Sequence, residues 1–395
     1  MKYKISVTLL LVTSFILSGC KKEETKEDPK MTHEYIYYRD GREEEVANPS
    51  IGAKTKDGIC VSILPTEWMG FYDDSNNYTN IRSYYKYGVE NTKPVSVSLS
   101  WNDELECDDY SVNLSINKDM SNATVFSSIN EKNIVLKDLF AGMHYYYQIS
   151  ANFEDKTIVS KRFDFFTSDF IRTLDIDGVQ NARDIGNKKT ADGKMRVKQG
   201  MVYRSANFDY VTSLGKIDAI EKYGIKTDLD LREPGPKSSP LGEDVQYINN
   251  ATQLKGSPQY FSEDNGVNSV AYQPAMLNNL KVFANKDNYP IAFHCAIGRD
   301  RTGTLAITLY LLLGIDVEQI QSDYIVSFFS SACNKDSFEN CGEQMETLIY
   351  YYSAYKGKDG VSSGTIYERT AEYATDIGLS TDELNRIRDN LLENC

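Results

Sequence analysis

The sequence predicts two domains of different class, an all-β sandwich followed by an α/β domain with a central, mostly parallel sheet flanked by helices. In the first half of the 395-residue chain, apolar side chains alternate with polar ones, a period of two that is typical of antiparallel strands. In the second half, short apolar runs alternate with segments of helical periodicity, which favours an α/β domain. The change of period separates a first domain at 50–168 from a second at 169–395.

The N-terminus predicts export from the cytoplasm. Lys2 and Lys4 precede an apolar run that is too short to span a bilayer, so residues 1–19 are predicted to be a signal peptide. Residues 20–49 form a charged lead-in. Its stretch 21–30 has no apolar side chain and is expected to be disordered.

The end of the predicted signal peptide, L-S-G-C at 17–20, resembles the lipobox of bacterial lipoproteins. The resemblance implies that Cys20 becomes the lipidated first residue of the mature protein and anchors it in a membrane. The acidic residues behind Cys20 resemble surface-export signals of Bacteroidetes lipoproteins. That resemblance implies a bacterial cell-envelope location, on the outer membrane and facing outward. An ordinary cleaved secretory peptide is the alternative.

An oxidising compartment would allow disulfides among the seven cysteines. Cys60 with Cys107, and Cys333 with Cys341, are the candidate pairs, which leaves Cys395 over. Free buried thiols are the alternative for both pairs, because the connectivity of disulfides does not follow from sequence alone.

Four alternating stretches predict strands in the first domain: 95–101, 110–116, 145–153 and 161–165. Two segments, V-S-L-S-W at 97–101 and L-F-A-G-M-H-Y at 139–145, resemble fibronectin type III domains, with Ala141 in place of the usual proline. The resemblance implies an immunoglobulin-like sandwich. We expect it to act as a spacer or as a module that presents substrates.

The second domain alternates predicted strands and helices. Strands are predicted at 201–204, 225–231 and 291–293, and helices at 213–223, 275–284, 304–313, 317–329, 344–355, 366–377 and 382–392. Gly224 is a natural end for the first of these helices, and Ser380 with Glu383 matches a capping box for the last. The long segment 233–273 is predicted to be either a lid or a disordered insertion.

The stretch at 290–303, P-I-A-F-H-C-A-I-G-R-D-R-T-G, carries the strongest chemical pattern of the chain. A short apolar strand ends at His294 and Cys295, and Arg301 follows after five residues, where a helix begins. Amides of such a loop converge on an anion, and the helix dipole stabilises a thiolate. Arg301 offers a planar fork of donors matched to two phosphate oxygens. The pattern predicts attack on a phosphate ester by Cys295 through a covalent phosphocysteine.

The string H-C-A-I-G-R-D-R-T-G at 294–303 resembles the signature of cysteine-dependent protein tyrosine phosphatases. It is similar to the atypical bacterial branch typified by mycobacterial tyrosine phosphatase B, with Arg299 where that branch has lysine. Four more segments resemble the branch in its order: N-A-R-D-I-G at 181–186, M-V-Y-R-S-A at 201–206, D-L-R at 230–232 and G-L-S-T-D-E-L-N-R-I-R at 378–388. A buried structural cysteine and a rhodanese-like sulfur-transfer loop are the alternatives.

The resemblance implies the fold of the cysteine phosphatases and a role for each loop residue. Cys295 is the expected nucleophile. The residues expected to surround the phosphate are Ala296, Ile297, Gly298, Arg299, Asp300 and Arg301. Asp300 is the first candidate for the general acid, with Asp230 second and Asp184 third. A carboxylate that merely stabilises the loop is the alternative for Asp300.

Supporting roles fall to residues around the loop. Arg183 and Asp184 are expected to brace it through a buried ion pair. Thr302 is expected to hydrogen-bond Cys295 and ease its departure. His294 is expected to orient the loop and to stabilise the thiolate, and a packed core histidine is the alternative.

Composition excludes several classes of function. A net charge of -14 is unfavourable for a broad nucleic-acid-binding face. The three histidines, His33, His144 and His294, are scattered along the chain, so no His-rich metal centre is expected. The predicted mechanism requires neither a metal nor another cofactor.

The predicted function is phosphomonoester hydrolysis by a protein tyrosine phosphatase, with dual specificity left open. The expected partners are a phosphorylated protein or peptide and, through Cys20, a membrane. Because Arg299 adds a second cation beside the loop, a phosphoinositide or inositol-phosphate phosphatase is the alternative. A non-catalytic surface module that only binds phosphate is the third hypothesis.

Overall fold

The computed structural model divides the chain into two units. The described residues are 28–65, 68, 70–71, 88–233, 235–250, 267, 269–332, 343–358, 360 and 364–395. One unit contains the described residues of 28–64 and 95–170, and the other those of 65–94 and 171–395. The predicted signal peptide with Cys20, and the candidate pair Cys333 and Cys341, lie outside the described residues. None of the helices described is long and apolar enough to cross a bilayer.

Within the described residues, the first unit consists of one short helix and eleven strands. Helix α1 spans Pro29–Thr32. The strands are β1 (Tyr35–Tyr38), β2 (Glu43–Glu45), β3 (Gly52–Ala53), β4 (Ile59–Val61), β5 (Val97–Asn102), β6 (Asp109–Ser115), β7 (Thr124–Ile129), β8 (Asn133–Leu136), β9 (His144–Asn152), β10 (Lys156–Val159) and β11 (Phe163–Thr167). Strands β5, β6, β9 and β11 overlap the four stretches whose alternating pattern predicts strands.

These strands form two sheets around one apolar core. The larger sheet has the order β2-β1-β10-β9-β11-β4, with β6 paired to β9 and β7 paired to β6, and the smaller has the order β3-β5-β8. One buried cluster combines Leu99 and Trp101 of β5 with Val112 and Phe165 of the larger sheet. The rings of Trp101 and Tyr110 meet edge to face at 5.3 Å between centroids. Alternate residues of the strands thus supply the core, as a period of two requires.

The first unit begins earlier in the chain than the sequence predicts. Residues 20–49 are predicted to be a charged lead-in, whereas Tyr35–Tyr38 pairs antiparallel with Lys156–Val159. Glu43–Glu45 then pairs with β1 at the end of the larger sheet. All three glutamates are exposed. The strand therefore lacks the apolar alternation by which it could have been predicted.

The predicted disulfide between Cys60 and Cys107 is wrong, because both cysteines are free thiols. Cys60 lies on β4, and Cys107 immediately precedes β6. The strand order from β6 to β4 runs through β9 and β11. Three strand spacings correspond to about 14 Å, well beyond the reach of a disulfide.

The second unit combines strands and helices. Its strands are β12 (Arg183–Asp184), β13 (Met195–Val197), β14 (Val202–Ser205), β15 (Thr227–Asp230), β16 (Gln246–Ile248), β17 (Ile291–His294) and β18 (Leu392–Asn394). Its helices are α2 (Ser213–Ile217), α3 (Gln273–Ala284), α4 (Asp300–Leu312), α5 (Val317–Val326), α6 (Glu343–Ala354), α7 (Ile366–Asp376) and α8 (Thr381–Leu391). A π-helical turn, Asp218–Lys222, follows α2, and 3₁₀ turns lie at Lys286–Asn288 and Ser327–Phe329.

The central sheet of the second unit is mixed. Its order is β12-β14-β17-β15-β16. Strand β12 is antiparallel to β14, and the other three pairings are parallel. The middle strand, β17, is buried along its whole length, which explains its continuous apolar run. Strand β16 lies inside the segment 233–273 that was expected to be a lid or an insertion, so part of that segment completes the sheet.

Local sequence determines where several helices of this unit begin and end. Gly224 has a φ of +66°, the left-handed conformation that commonly follows a helix. The capping box predicted at the start of α8 is confirmed, with reciprocal hydrogen bonds between Ser380 and Glu383. A second capping box, formed by Thr365 and Glu368, begins α7.

Candidate active site

The candidate active site lies at the carboxyl ends of three neighbouring strands. Parallel pairing places Ser205 of β14, His294 of β17 and Asp230 of β15 side by side. Cys295 follows β17 directly and is 2% exposed. Residues 295–301, which we call the cysteine loop, lead into α4. In open α/β sheets, ligands bind beyond the carboxyl ends of the strands.

Hydrogen bonds from outside hold the carbonyl groups of the cysteine loop. Four consecutive carbonyls each accept from a side chain: Cys295 from His294 Nδ1 (3.1 Å), Ala296 from Asn207 Nδ2 (2.7 Å), Ile297 from Asn181 Nδ2 (2.9 Å) and Gly298 from Arg204 Nη2 (2.9 Å). In a trans peptide, the N–H of the next residue points opposite to the carbonyl. The amides of residues 296–299 therefore point away from these donors. Such a set of amides forms an anion-binding concavity.

Gly298 makes this loop conformation possible. Its φ is +73°, and a Cβ at this position would lie 2.4 Å from the carbonyl oxygen of Ser205. Any side chain would therefore push the loop away from the end of β14. Only glycine fits where the loop passes this close to the strand.

One buried carboxylate, Asp323 of α5, gathers three cations. Asp323 Oδ2 accepts from Arg204 Nη1 at 2.5 Å, and Oδ1 accepts from Arg183 Nε at 3.1 Å. Lys188 Nζ lies 3.4 Å from Oδ1. Burial alone raises the pKa of Asp323, but the charges of Arg183, Lys188 and Arg204 outweigh it and hold the pKa well below its usual range. Asp323 is therefore ionised and neutralises cations in the interior.

Asp323 is connected to the cysteine loop by two routes. Arg204 binds Asp323 and the Gly298 carbonyl with different guanidinium nitrogens. Arg183 Nη1 donates to Asn181 Oδ1 at 2.5 Å, which orients the amide that binds Ile297. The conformation of the loop therefore depends on a carboxylate that does not touch it.

His294 forms a second buried charge cluster, on β17 and β15. Its Nδ1 donates to the Cys295 carbonyl, and its Nε2 lies 2.9 Å from Asp228 Oδ1. Nδ1 also lies 3.7 Å from Asp230 Oδ1. Burial lowers the pKa of His294, but the hydrogen bond to Asp228 and the charges of both aspartates outweigh it and raise the pKa above its ordinary value. In its protonated form, His294 places positive charge beside Cys295. Among the described residues, no group of three or more His, Cys, Asp or Glu side chains is arranged to hold a metal ion.

Asp230 is fully engaged by donors. Its Oδ1 accepts from Arg232 N at 2.9 Å and Nε at 3.0 Å, and its Oδ2 accepts from Arg232 Nη2 at 2.8 Å and Tyr247 Oη at 3.1 Å. Burial raises the pKa of Asp230, but the bonds to Arg232 and the charge of His294 outweigh it and lower the pKa below its ordinary value. A carboxyl group held ionised in this way is a poor proton donor. The geometry therefore disfavours Asp230 as the general acid.

Asp300 lies in the first turn of α4 and is paired with its neighbour. Arg299 donates from Nε to Asp300 Oδ1 at 2.9 Å and from Nη2 to Oδ2 at 3.3 Å. The guanidinium of Arg299 also lies 5.4 Å from the ring centroid of Phe328. The Asp300 side chain is 28% exposed, so it remains accessible to a ligand. The positive charge of Arg299 is largely offset by Asp300.

Arg301 and Thr302 follow in the same turn of α4. Arg301 Nη1 donates to the Leu231 carbonyl at 3.2 Å, which holds its guanidinium near the end of β15. The hydroxyl of Thr302 is buried and has no hydrogen-bond partner among the described residues. The predicted hydrogen bond from Thr302 to Cys295 is therefore not formed, although the Thr302 side chain is fully buried.

Arg183 and Asp184 do not share an ion pair. They are adjacent on β12, and neighbouring side chains of a strand point to opposite faces. Asp184 accepts from the amides of Gly186 at 2.8 Å and Gly200 at 2.7 Å, and from Arg172 Nη1 at 3.2 Å. Burial raises the pKa of Asp184, and Arg172 offsets this only in part. Asp184 thus ties neighbouring chain segments together, whereas Arg183 supports the loop through Asn181.

Sequence reasoning missed four residues that support the loop: Asn181, Arg204, Asn207 and Asp323. Asn181 and Arg204 lie in segments that resemble the phosphatase branch, but no role follows for them from that resemblance. For Asp323, the sequence contains a weak indication of a buried, paired carboxylate. It follows Ile320 at helical spacing and so lies on the buried face of α5, where an acidic side chain needs partners.

We predict that Asp323→Asn lowers the free energy of unfolding by about 3–5 kcal/mol at pH 7, because it leaves buried cations without a counter-charge. Urea unfolding measures this difference. The folded-state pKa of Asp323 is lowered, so its contribution is present above the unfolded pKa of about 3.9 and is lost as the pH falls through the folded value. The gap between the variant and the parent protein should therefore narrow in acid.

Asp316→Asn is the matched control on the same helix. Asp316 caps α5 by accepting from Glu318 N, and asparagine caps equally well. This control should stay within about 0.5 kcal/mol of the parent protein. If Asp323→Asn behaved like the control, the central place of Asp323 in the network would be disproved.

Comparison with known proteins places the second unit in a family. The profile of the tyrosine phosphatase family matches residues 174–393, more than half of the chain. A Cupriavidus necator protein that is provisionally named a tyrosine-protein phosphatase is 29% identical over 175 residues, which cover 39% of this chain and 62% of that protein. A tyrosine-protein phosphatase of Nostoc commune is 23% identical over 227 residues, which cover 48% of this chain and 73% of that protein. The chain thus spans less than two thirds of the first relative.

Solved structures are only remotely similar. The crystal structure of TpbA from P. aeruginosa aligns with a TM-score of 0.30 and 15% identity, over 45% of this chain and 89% of that one. A similarity this low supports no argument about fold or function. The family match itself covers the cysteine loop, the central sheet and helices α2 to α8. By that match, the chain belongs to the tyrosine phosphatase family.

Proposed function

We propose that this protein is a cysteine-dependent phosphomonoesterase that hydrolyses phosphotyrosine in proteins or peptides. The observation that carries the proposal is the cysteine loop itself. Cys295 lies in a loop whose carbonyls are bound from outside, so that the amides of the following residues point to the opposite side, towards the position expected for an oxyanion, with Arg301 at the end of the loop. The two sequence relatives, which are named tyrosine-protein phosphatases, support the same substrate class.

The proposed reaction has two steps. In the first, the Cys295 thiolate forms a bond to phosphorus while the bond from phosphorus to the substrate oxygen breaks, and that oxygen takes a proton from Asp300. In the second, water attacks the phosphocysteine, the S–P bond breaks and Asp300 takes a proton from the water. Inorganic phosphate leaves and the thiolate is restored. Arg301 and the loop amides hold the equatorial oxygens, where charge accumulates in a loose transition state.

Asp300 is the best-placed carboxyl group for the acid. Asp230 is held ionised by Arg232, and Asp184 is buried and bound to the amides of Gly186 and Gly200. Asp300 is partly exposed at the mouth of the loop and forms an ion pair with Arg299. A phosphate dianion in the loop competes with Asp300 for Arg299. Substrate binding would therefore weaken the pairing between Arg299 and Asp300 and leave the Asp300 carboxyl group available to the leaving oxygen.

The placement of Arg299 bears on the alternative substrates. A second cation at this position was the reason to consider phosphoinositides or inositol phosphates. Arg299 is paired with Asp300 and packs over Phe328, so its charge is largely balanced. This pairing weakens the reason to expect a substrate with several phosphates, and the two relatives that are named tyrosine-protein phosphatases favour phosphotyrosine.

We further propose that the protein is a lipoprotein of the bacterial cell envelope, anchored through Cys20 on the outer membrane and facing outward. The support is the L-S-G-C sequence at 17–20 and the charged residues behind it. The first unit, with its two sheets around one core, is proposed to be a fibronectin III-like spacer or substrate-presenting module. We also propose that the catalytic domain belongs to the branch typified by mycobacterial tyrosine phosphatase B.

The first test is phosphate release by the full chain in detergent, with and without EDTA. We expect metal-independent turnover, with kcat/KM for a phosphotyrosine peptide above that for a phosphoserine peptide and for a soluble phosphoinositide. Cys295→Ser should reduce release to background, because serine is a far weaker nucleophile. Turnover that survives in Cys295→Ser would refute the mechanism, and a preference for the phosphoinositide would support the alternative substrate. Phosphate binding without any turnover would support the non-catalytic hypothesis.

The second test concerns Asp300. We expect Asp300→Asn to lower kcat about 10²–10⁴-fold for phenyl phosphate, whose leaving group needs a proton. For p-nitrophenyl phosphate, whose leaving group needs none, the loss should be much smaller. Asp230→Asn is the comparison, because loss of a purely structural carboxylate should affect both substrates alike. Equal losses for both substrates in Asp300→Asn would exclude Asp300 as the acid.

The third test concerns anchoring. In a bacterial host, the protein should incorporate radiolabelled palmitate and separate with the membrane fraction, and Cys20→Ser should abolish both. Cys60→Ser is the control, because Cys60 is an exposed free thiol elsewhere in the chain. Equal labelling of the Cys20→Ser variant and the parent protein would rule out lipidation at this residue.

A further inference from the structure

A segment outside the family match contacts Asn181, one of the residues that hold the cysteine loop. Residues 88–94 precede β5 in sequence but belong to the second unit. They lie outside the matched region at 174–393. We call this segment the arm. The family resemblance therefore assigns no function to it.

Glu90 of the arm joins two turns of the second unit. Its Oε2 accepts from Ser330 Oγ at 2.9 Å, from Ser331 N at 2.9 Å and from Ser331 Oγ at 2.7 Å. Its Oε1 accepts from Asn181 N at 3.3 Å and from Thr92 Oγ1. Hydrogen bonds to an ionised acceptor are among the strong ones. One carboxylate therefore holds the turn at Asn181 to the turn at 330–331.

Both of these turns bear on the cysteine loop. Asn181 donates to the Ile297 carbonyl. The 3₁₀ turn Ser327–Phe329 directly precedes Ser330, and its Phe328 packs under the guanidinium of Arg299. Asn181 also has a φ of +56°, a left-handed conformation that a residue other than glycine keeps only when its surroundings impose it. Glu90 binds the amide of this very residue.

The arm has further contacts that do not depend on Glu90. Asn91 N donates to the Phe329 carbonyl at 3.1 Å, and Lys93 Nζ lies 2.9 Å from Asp175 Oδ1. We call the hydrogen bonds of Glu90 to Asn181, Ser330 and Ser331 the clamp. A substitution of Glu90 should therefore break the clamp without detaching the arm.

We propose that Glu90 is a positioning residue for the phosphatase reaction, which acts by fixing the Asn181 turn and the 327–331 turn against each other. It does not touch the substrate. With the clamp closed, the Ile297 carbonyl stays turned outward and the neighbouring amide stays available to the phosphate. The inference rests on the proposed phosphatase function for its effect on turnover, but its effect on anion binding is independent of turnover.

The test is Glu90→Gln in the full chain. Glutamine keeps the size of the side chain but replaces one acceptor oxygen with a donor, which opposes the donors of Asn181, Ser330 and Ser331. We expect tungstate, an oxyanion that needs no chemistry, to bind about tenfold more weakly by calorimetry. Amide hydrogen exchange at residues 296–299 should be faster, and kcat/KM should fall about tenfold, since small misplacements of reacting groups have effects of this order. Glu90→Asp, which restores the charge, should recover part of each loss.

Lys93→Met is the matched control, because it breaks the other ion pair of the arm and leaves the clamp intact. We expect this control to match the parent protein in tungstate affinity and amide exchange. If Glu90→Gln does not fold, Ser330→Ala with Ser331→Ala removes donors from Glu90 more gently, and a two- to threefold loss of tungstate affinity is expected.

Two outcomes separate this inference from the proposed function. The inference is overturned if Glu90→Gln has the same tungstate affinity and the same amide exchange rates at residues 296–299 as the control Lys93→Met. The serine variant replaces Glu90→Gln in this comparison if Glu90→Gln does not fold. This conclusion holds even when turnover is normal. If the parent protein binds tungstate and shows the Glu90 effect but hydrolyses no phosphoester, the proposed function fails and the positioning role of Glu90 stands.

Discussion

A loop that collects amides around one point must turn its carbonyls outward, and buried carbonyls need donors. The structure of the second unit depends on this constraint. Four side chains meet it, from His294, Asn207, Asn181 and Arg204. Three of them, Asn181, Arg204 and Asn207, come from segments that are distant from the loop in sequence, so the sheet and its connections must first assemble. The conformation of the loop thus depends on the whole unit, although the residues that we propose to carry out the chemistry are contiguous in sequence.

Meeting this constraint with cations creates a second problem, the burial of charge. Two groups of carboxylates solve it from different elements: Asp323 on α5, and Asp228 with Asp230 on β15. Buried ion pairs contribute little net stability compared with apolar packing, because desolvation offsets their attraction. Their value here is geometric. Each carboxylate fixes the orientation of a donor, and each donor fixes one carbonyl of the loop.

The features that could be predicted from the sequence are those formed by residues that are contiguous in the chain. The strand Ile291–His294, the cysteine loop and α4 form one stretch, so Cys295, Gly298 and Arg301 could be identified from spacing. The alternation around Leu99 likewise located its strand. What could not be predicted depends on contacts between distant parts of the chain. The bond from Glu90 to Ser331 joins residues 241 positions apart and leaves no local pattern. Strand β2 likewise has no local pattern, because its three glutamates are exposed and its place in the sheet depends on backbone pairing with β1.

Asp230 and Asp300 show how the surroundings of a carboxyl group distinguish between two candidates for the general acid that the sequence alone leaves open. Asp230 and Asp300 are both acidic residues at the edge of the site, and either could have been the proton donor by position. Asp230 is buried under Arg232, Tyr247 and His294, each of which favours its ionised form. Asp300 is paired with Arg299, a cation that a bound phosphate also attracts. An anion bound at the loop would therefore change the surroundings of Asp300 far more than those of Asp230. This difference in surroundings is the reason that we propose Asp300, and not Asp230, as the general acid.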